Sequence, residues 1–259
     1  MRHTQWRFID TGSNSGTYNM ALDQALLNRY NPGSDLPVFR LYHWDPPAIS
    51  LGRFQEAGSV LDLKKCLKNN IPVVRRLTGG GAIFHDHELT YSIICSADTA
   101  ALLPVKESYG KLSSFLIHAY RELGYDACFA NEIGNAGMRL GKKSDFCFAG
   151  REDYDILLDG KKIGGSAQKR TKYKIFQHGS IPMHLDPTGH ADYFKDDITD
   201  TTNRITFISS RSSIGMPQLK KLLKKSFEKN LGVTLIPDGL KPEEEKTSLS
   251  LQENICVAT

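Results

Sequence analysis

Three features of this 259-residue chain have residue types and spacing suited to chemistry: a glycine-rich loop, a cysteine and a lysine. The loop reads Arg75, Arg76, Leu77, Thr78, Gly79, Gly80, Gly81. Consecutive glycines weaken a strand, but their backbone reaches positive φ and can lie against a ligand. We therefore predict a binding loop rather than a structural turn. The two arginines add positive charge that suits a carboxylate, a phosphate or a developing oxyanion.

The cysteine of interest is Cys147, which lies between the basic residues Lys142, Lys143 and Arg151. Positive charge nearby lowers the pKa of a thiol and raises the fraction of reactive thiolate. The flanking residues Phe146 and Phe148 equally favour a small buried hydrophobe. The residues alone leave both interpretations open.

The lysine is Lys162, which follows an Asp159-Gly160 turn and precedes the small residues 164–167. Such a lysine either reaches a polar ligand atom or is an ordinary exposed strand residue. His85 and His178 are the plausible side-chain bases. Each is either a structural histidine or a proton shuttle, because spacing identifies no partner for either ring.

Composition limits the classes of protein that fit. The chain is 40% hydrophobic and 24% charged, which allows one substantial core or two small ones. A net charge of +4 is too small to indicate nucleic acid, but residues 142–174 hold nine Lys or Arg against five Asp or Glu. That basic segment could dock an acidic protein. No long apolar run or signal-peptide pattern appears, so we expect a soluble, cytoplasmic protein without a membrane partner.

Several common chemistries are absent from the pattern. The five cysteines are widely separated and form no C-x-x-C, which argues against a disulfide framework or a zinc site. The segment around Gly141 and Lys142 lacks two residues of the Walker phosphate loop, and no G-x-S-x-G elbow or H-E-x-x-H pair occurs. Metal catalysis is not indicated.

Strand-like and helix-like segments alternate along the chain. The apolar spacing predicts helices over 19–30, capped by Ser15 or Thr17, over 105–123, ended by Gly124, and over 217–231. Strands are predicted over 37–44, 48–54, 72–77, 89–95 and 174–185, with a hairpin of 154–158 and 162–167 around Asp159-Gly160. Short links favour antiparallel neighbours. The segment after Trp6 reads as a polar turn, and the acidic run 243–245 as part of a loose tail. We therefore predict a catalytic domain over 1–236 and a polar tail over 237–259.

Three segments together resemble the lipoate–protein ligase A family of the biotin/lipoate ligase superfamily. They are Arg75-Arg76-x-Thr78-Gly79-Gly80-Gly81-Ala82-x-x-His85-Asp86, Gly160-Lys161-Lys162-x-Gly164-Gly165-Ser166-Ala167, and Gln177-His178-Gly179-Ser180. They occur in the family's order and spacing. The resemblance implies an α/β fold of the α+β type, with a central mixed β-sheet flanked by helices.

The resemblance also implies roles for individual residues. A tunnel for a medium-chain acyl group would lie under the glycine loop, and Lys162 would contact the acyl carbonyl. The substrate-binding set it implies is Arg75, Arg76, Thr78, Gly79, Gly80, Gly81, His85, Gly165, Ser166, Ala167, His178 and Gly179. Cys147 stands where octanoyltransferases of this type hold their nucleophile, so the resemblance favours Cys147 and Lys162 as the catalytic residues.

Within the family the sequence favours a transferase over a ligase. Ligases usually carry His-Asp-x-Gly-Asn after the glycine loop, whereas this chain reads His85-Asp86-His87-Glu88-Leu89. The implied reaction moves octanoyl or lipoyl from acyl carrier protein to a lysine of a lipoyl domain, such as glycine cleavage H protein or 2-oxoacid dehydrogenase E2. It needs no cofactor. The alternatives are an ATP- and Mg-dependent lipoate–protein ligase domain that forms lipoyl-AMP, and a non-catalytic relative that binds lipoylated proteins.

Overall fold

The computed structural model describes residues 3–97, 105–133, 153–196 and 204–258. Its strands are β1 (Gln5–Asn14), β2 (Val38–Trp44), β3 (Ala48–Leu51), β4 (Val73–Arg75), β5 (Ile83–His85), β6 (Glu88–Ser96), β7 (Ala127–Phe129), β8 (Ile156–Leu158), β9 (Lys161–Ile163), β10 (Ser166–Arg170), β11 (Lys174–Pro182), β12 (Ile205–Thr206), β13 (Thr234–Pro237) and β14 (Cys256–Ala258). Its α-helices are α1 (Gly16–Arg29), α2 (Ala57–Val60), α3 (Leu63–Lys68), α4 (Val105–Glu122), α5 (Pro187–Ala191), α6 (Met216–Leu231) and α7 (Pro242–Ile255). None of the helices in these ranges is both long and apolar enough to cross a membrane.

A six-stranded sheet in the order β10-β11-β6-β2-β1-β13 forms the centre of the fold. It is mixed, because β1 runs parallel to β2 and β13 whereas β2, β6, β11 and β10 pair antiparallel. This confirms the predicted mixed sheet. The expectation of antiparallel neighbours is wrong at β3–β4, which are parallel.

The two faces of the sheet are covered by different helices, because successive side chains of a strand point to opposite sides. On one face Phe39 of β2 stacks on Phe227 of α6, 4.1 Å between ring centroids, and meets Phe115 of α4 edge-on. On the other face Val38 packs with Leu22 of α1. Helix α1 therefore lies against the opposite side of the sheet from α4 and α6.

Helix α1 begins where the sequence predicts a cap. The Ser15 side chain accepts a hydrogen bond from the backbone N–H of Tyr18, which satisfies one free donor of the first turn. The Asp159-Gly160 hairpin is likewise confirmed, with φ of +49° and +80° at its two central residues. Its second strand is shorter than predicted, because β9 ends at Ile163 and β10 belongs to the central sheet.

Two smaller sheets flank the central one. The first has the order β14-β4-β3-β5 and carries the glycine loop between β4 and β5. The second has the order β12-β9-β8-β7 and carries Lys162 on β9. The glycine loop and Lys162 are thus positioned by two different sheets.

The two ends of the chain differ from their predictions. The segment around Trp6 is the strand β1 rather than a polar turn. The expected loose tail is wrong, because Pro242–Ile255 forms α7 and Cys256–Ala258 pairs with β4. Buried Arg7 of β1 binds the buried carboxylate of Glu244 at 2.7 Å, which fixes the start of α7.

Candidate active site

The glycine loop is shaped from beneath by the buried guanidinium of Arg76. Its Nη2 donates to the carbonyls of Gly79 and Gly81 at 2.9 and 2.6 Å, and its Nη1 donates to the carbonyl of Ser50 at 3.0 Å. Gly80 has φ of +95°, a conformation that L side chains rarely adopt. Arg76 therefore holds the loop's carbonyls, and the expectation that its charge faces a bound anion stays a prediction.

Arg75 is also directed to backbone oxygens. Its Nη1 donates to the carbonyls of Gly52 and Gln55 at 3.0 and 2.7 Å. A Cβ on Gly52 would lie 2.0 Å from the carbonyl oxygen of Gly80, so glycine is required where these two loops touch. Arg75 thus holds the loop of residues 52–55, hereafter the Phe54 loop, against the glycine loop.

Thr78 and His178 are brought together across 100 residues of sequence. The Thr78 hydroxyl lies 2.7 Å from Nε2 of His178, and both side chains are buried. Nδ1 of His178 lies 3.8 Å from the carboxylate of Asp23 on α1. His178 stands on β11 beside Ala167 of β10, so the second and third sequence motifs meet here.

The protonation of this group follows from its surroundings. Burial lowers the pKa of His178, and the Arg76 charge adds to that, so the ring is neutral at pH 7 although Asp23 opposes the shift. Burial alone would raise the pKa of Asp23, but the charge of Arg40 at 2.7 Å, the nearby ring of His178 and a hydrogen bond from Ser92 lower it. An ionised Asp23 favours the proton on Nδ1 of His178. Nε2 then accepts from the Thr78 hydroxyl.

His85 closes a second buried network. Its Nδ1 lies 2.8 Å from Glu88 and its Nε2 lies 2.7 Å from the Ser50 hydroxyl, which also accepts from Arg76 at 3.2 Å. The ring stacks on Trp44 with 3.8 Å between centroids. His85 is therefore linked to the glycine loop through Ser50 and Arg76.

The small-residue segment before β10 packs against β11. Gly164 has φ of +60°, and a Cβ there would lie 2.0 Å from the Ser180 carbonyl oxygen. The Ser180 N–H donates to the carbonyl of Gly165 at 2.9 Å. A Cβ on Gly179 would lie 2.4 Å from Oγ of its pairing partner Ser166. Glycine is therefore needed at 164 and 179 for close packing.

Lys162 is buried, with 7% of its surface exposed, so the reading of an ordinary exposed strand lysine is wrong. Its Nζ forms an ion pair of 2.8 Å with Asp155, whose side chain is also buried. A carboxylate at this distance favours the charged ammonium despite burial. Two residues after Lys162, Gly164 packs against the backbone of Ser180. The Ser180 hydroxyl donates to Glu88 of the His85 network at 2.5 Å.

Cys147 lies outside the described residues, so its assignment stays a prediction. The described cysteines are Cys66, Cys95, Cys128 and Cys256, all free thiols. Burial raises the pKa of Cys95 to about 12 and also raises that of Cys66, which makes both poor nucleophiles.

The structure joins Thr78 with His178 in one buried network and Arg76 with His85 in another, and it pairs Lys162 with Asp155. Sequence reasoning missed Asp23 and Glu88, the carboxylates that orient the two histidines. Asp23 has a signal in the sequence, since it lies one turn after Asn19 on a helix whose other inward residues are apolar. Within the described residues no group of His, Cys, Asp and Glu has the arrangement of a metal site.

Comparison of the sequence with known protein families shows to which family the chain belongs. The family profile of the lipoyl protein ligase A/B catalytic domain matches residues 15–228. The chain belongs to this family. The matched range includes the glycine loop, Lys162 and the strands β10 and β11.

Relatives within the family are similar over almost their whole length. The octanoyltransferase LipM of Kyrpidia tusciae is 37% identical, over 95% of this chain and 94% of its own. LipM of Bacillus subtilis is 35% identical, over 94% and 92%. LipM of Exiguobacterium sp. is 41% identical, over 86% and 82%.

Solved structures of the family share the fold. A lipoate–protein ligase A bound with ATP superposes with a TM-score of 0.81, covering 96% of this chain and 94% of its own at 23% identity. A bi-partite lipoate protein ligase from Thermoplasma acidophilum gives 0.80, covering 97% and 93% at 22% identity. This likeness confirms the α/β catalytic fold with its mixed sheet.

Proposed function

We propose that this protein is an octanoyltransferase of protein lipoylation. It takes an octanoyl group from acyl carrier protein onto Cys147 and passes it to a lysine of a lipoyl domain, such as that of glycine cleavage H protein or of a 2-oxoacid dehydrogenase E2. The observation that carries the proposal is the near full-length similarity to octanoyltransferases. The buried, ion-paired Lys162 supports it, because it supplies a fixed cation in a site of low polarity.

The first half-reaction is a thioester exchange. The Cys147 thiolate attacks the carbonyl carbon of the carrier-bound octanoyl thioester, and the carbonyl oxygen becomes an oxyanion. The ammonium of Lys162 stabilises that charge. The carbon–sulfur bond to the carrier breaks, the carrier's thiolate leaves and takes up a proton, and octanoyl remains on Cys147.

The second half-reaction forms the amide. The neutral amine of the acceptor lysine attacks the Cys147 thioester, and Lys162 again stabilises the oxyanion. The carbon–sulfur bond to Cys147 then breaks, and the proton lost by the amine ends on the leaving Cys147 thiolate. The free energy of the thioester drives the transfer, so we propose that neither ATP nor magnesium takes part. The free thiols among the described residues support a reducing, cytoplasmic setting.

The glycine loop supports acyl binding in this scheme. Its shape is set by Arg76, and Thr78 is oriented by the neutral ring of His178. The buried polar side chains beneath the loop are directed to one another and to the loop's carbonyls rather than outward. We assign Gly79, Gly80 and Gly81 to the wall of the acyl site.

A donor comparison tests the proposed function. Purified protein is incubated with a lipoyl domain and either octanoyl carrier protein without ATP, or octanoate with ATP and magnesium. We expect octanoylated lipoyl domain in the first reaction. Product in the second reaction alone would identify an ATP-dependent ligase, and product in neither would favour a non-catalytic binder.

A further inference from the structure

The Phe54 loop carries a large apolar side chain in full view of solvent. Phe54 is 83% exposed, and the Arg53 guanidinium lies 5.5 Å from the centre of its ring. Single exposed apolar residues are common on protein surfaces. The case for a role therefore depends on how this loop is held.

The Phe54 loop is fixed by several hydrogen bonds. Arg75 donates to the carbonyls of Gly52 and Gln55, the Gly52 N–H donates to the Gln55 side chain at 2.9 Å, and the Gln55 N–H returns to the Gly52 carbonyl at 3.1 Å. Arg75 therefore supports the backbone of the loop that carries Phe54. A rigid support for an exposed aromatic lowers the entropy cost of binding a partner through it.

The loop is also attached to the glycine loop. The Arg53 N–H donates to the Thr78 carbonyl at 2.8 Å, and Gly52 packs directly on the Gly80 carbonyl. Anything that docks on Phe54 is therefore positioned relative to the wall of the acyl site.

The surroundings of the loop are basic on the side of β10. Lys169 lies on β10, where burial lowers its pKa and the charge of Arg53 lowers it further. Lys169 belongs to the basic segment 142–174. Glu56, an exposed acid next to the loop, only partly offsets this charge.

We propose that the Phe54 loop, with Arg53 and Lys169, is the docking surface for the acyl carrier protein; this rests on the proposed function. The carrier joins its acyl arm through a phosphodiester, and a guanidinium matches such a phosphate well. The acceptor instead presents a lysine, which two nearby cations would repel. Phe54 supplies the apolar anchor of the contact.

The test separates docking from chemistry. The rate of octanoyl transfer is measured against the concentration of octanoyl carrier protein, and separately with octanoyl pantetheine, a small thioester without a protein surface. Phe54→Ala and Arg53→Glu should each raise KM for the carrier protein about tenfold. The rate with octanoyl pantetheine should stay within about twofold of wild type, since the acyl site is intact.

Leu249→Ala is the matched control, because Leu249 is 67% exposed on α7 and truncation removes a similar apolar side chain. It should leave both donors unaffected. Wild-type KM for the carrier protein in Phe54→Ala and Arg53→Glu would overturn the proposal. So would an equal loss with both donors, or a raised KM for the lipoyl domain alone.

A binding measurement keeps this result distinct from the proposed function. Biolayer interferometry with unacylated carrier protein detects docking without any transfer. If wild type transfers no octanoyl yet binds carrier through Phe54, the reaction is wrong and the surface stands. If wild type transfers octanoyl while Phe54→Ala binds carrier equally well, the surface is wrong and the reaction stands.

Discussion

At the scale of single residues, Lys162 is the cation that we propose for the chemistry. It is buried beside Asp155, so its ammonium keeps a fixed position and little water surrounds it. Charge held in such a site stabilises an oxyanion more strongly than charge in water does.

Lys162→Met should therefore slow octanoylation of Cys147 by about two to three orders of magnitude, the usual loss for one oxyanion donor. Binding of the carrier protein should barely change. The readout is mass spectrometry of the Cys147 adduct over time without ATP. Lys161→Met, at the exposed neighbouring strand position, is the control and should keep the wild-type rate.

The variant removes the ion pair of Lys162 with buried Asp155, which destabilises the fold. The double variant Asp155→Asn with Lys162→Met also removes the buried carboxylate charge and should show the same loss of rate. Adduct formation at the wild-type rate in either folded variant would mean that Lys162 only shapes the pocket.

The arginines show what residue types alone do not reveal. The sequence indicates positive charge beside the glycine loop, but the direction of a guanidinium depends on which carbonyls the tertiary fold places near it. Both Arg75 and Arg76 donate to backbone oxygens. Asp23 escaped prediction for the same reason, because its partners His178 and Arg40 are distant in sequence.

At the scale of elements, the glycine loop combines a positive φ at Gly80 with close contacts. Gly80→Val places a branched side chain at φ of +95°, and its Cβ would lie 3.0 Å from the guanidinium of Arg76. We expect octanoyl transfer to fall by more than about tenfold while the circular dichroism spectrum stays that of a folded protein.

Gly124→Val is the control for backbone strain. Gly124 has φ of +84° at the end of α4, with open space where a Cβ would lie. It should lose a similar amount of stability, on the order of 1 kcal/mol, but keep its activity. Unchanged transfer by folded Gly80→Val protein would remove the glycine loop from the acyl site.

Elements with strong local signals were predictable from the sequence. The cap of α1, the apolar stripes of α4 and α6 and the Asp159-Gly160 turn depend on neighbouring residues only. Helix α7 was missed because its acidic first turn resembles a disordered tail. Two helix-start signals were available in the sequence: Pro242 in the first turn and Glu244 three residues after Lys241. In the structure the Glu244 carboxylate accepts from the Lys241 N–H at 2.8 Å.

At the scale of the whole molecule, buried histidines connect stability to pH. Burial lowers the pKa of His178, His190 and His43 in the folded state. As pH falls below about 6.5, these histidines become protonated in the unfolded chain but stay neutral in the folded chain until a lower pH. Stability is therefore greatest above that pH and is lost as pH falls.

We expect the free energy of unfolding, measured in urea, to fall between pH 6.5 and 5.5, with each such histidine contributing up to about 1.4 kcal/mol per pH unit. His178→Gln removes one titrating ring while its amide can still pair with Thr78, so its slope should be smaller than that of wild type. Equal slopes for the two proteins would contradict a lowered pKa at His178.

At this scale the proposed reaction joins a donor, a nucleophile and an acceptor. Burial raises the pKa of Cys66 and Cys95, so both are poor candidates for the nucleophile. The resemblance of the sequence to octanoyltransferases is the reason why we propose Cys147 for that role.

The most direct test is intact-protein and peptide mass spectrometry after incubation with octanoyl carrier protein, without ATP and without acceptor. We expect one octanoyl group on Cys147, which is transferred when lipoyl domain is added and is absent from Cys147→Ala. Cys128→Ala, which changes a partly exposed cysteine of β7, should keep the adduct. Transfer to the lipoyl domain by Cys147→Ala at the wild-type rate would contradict this expectation.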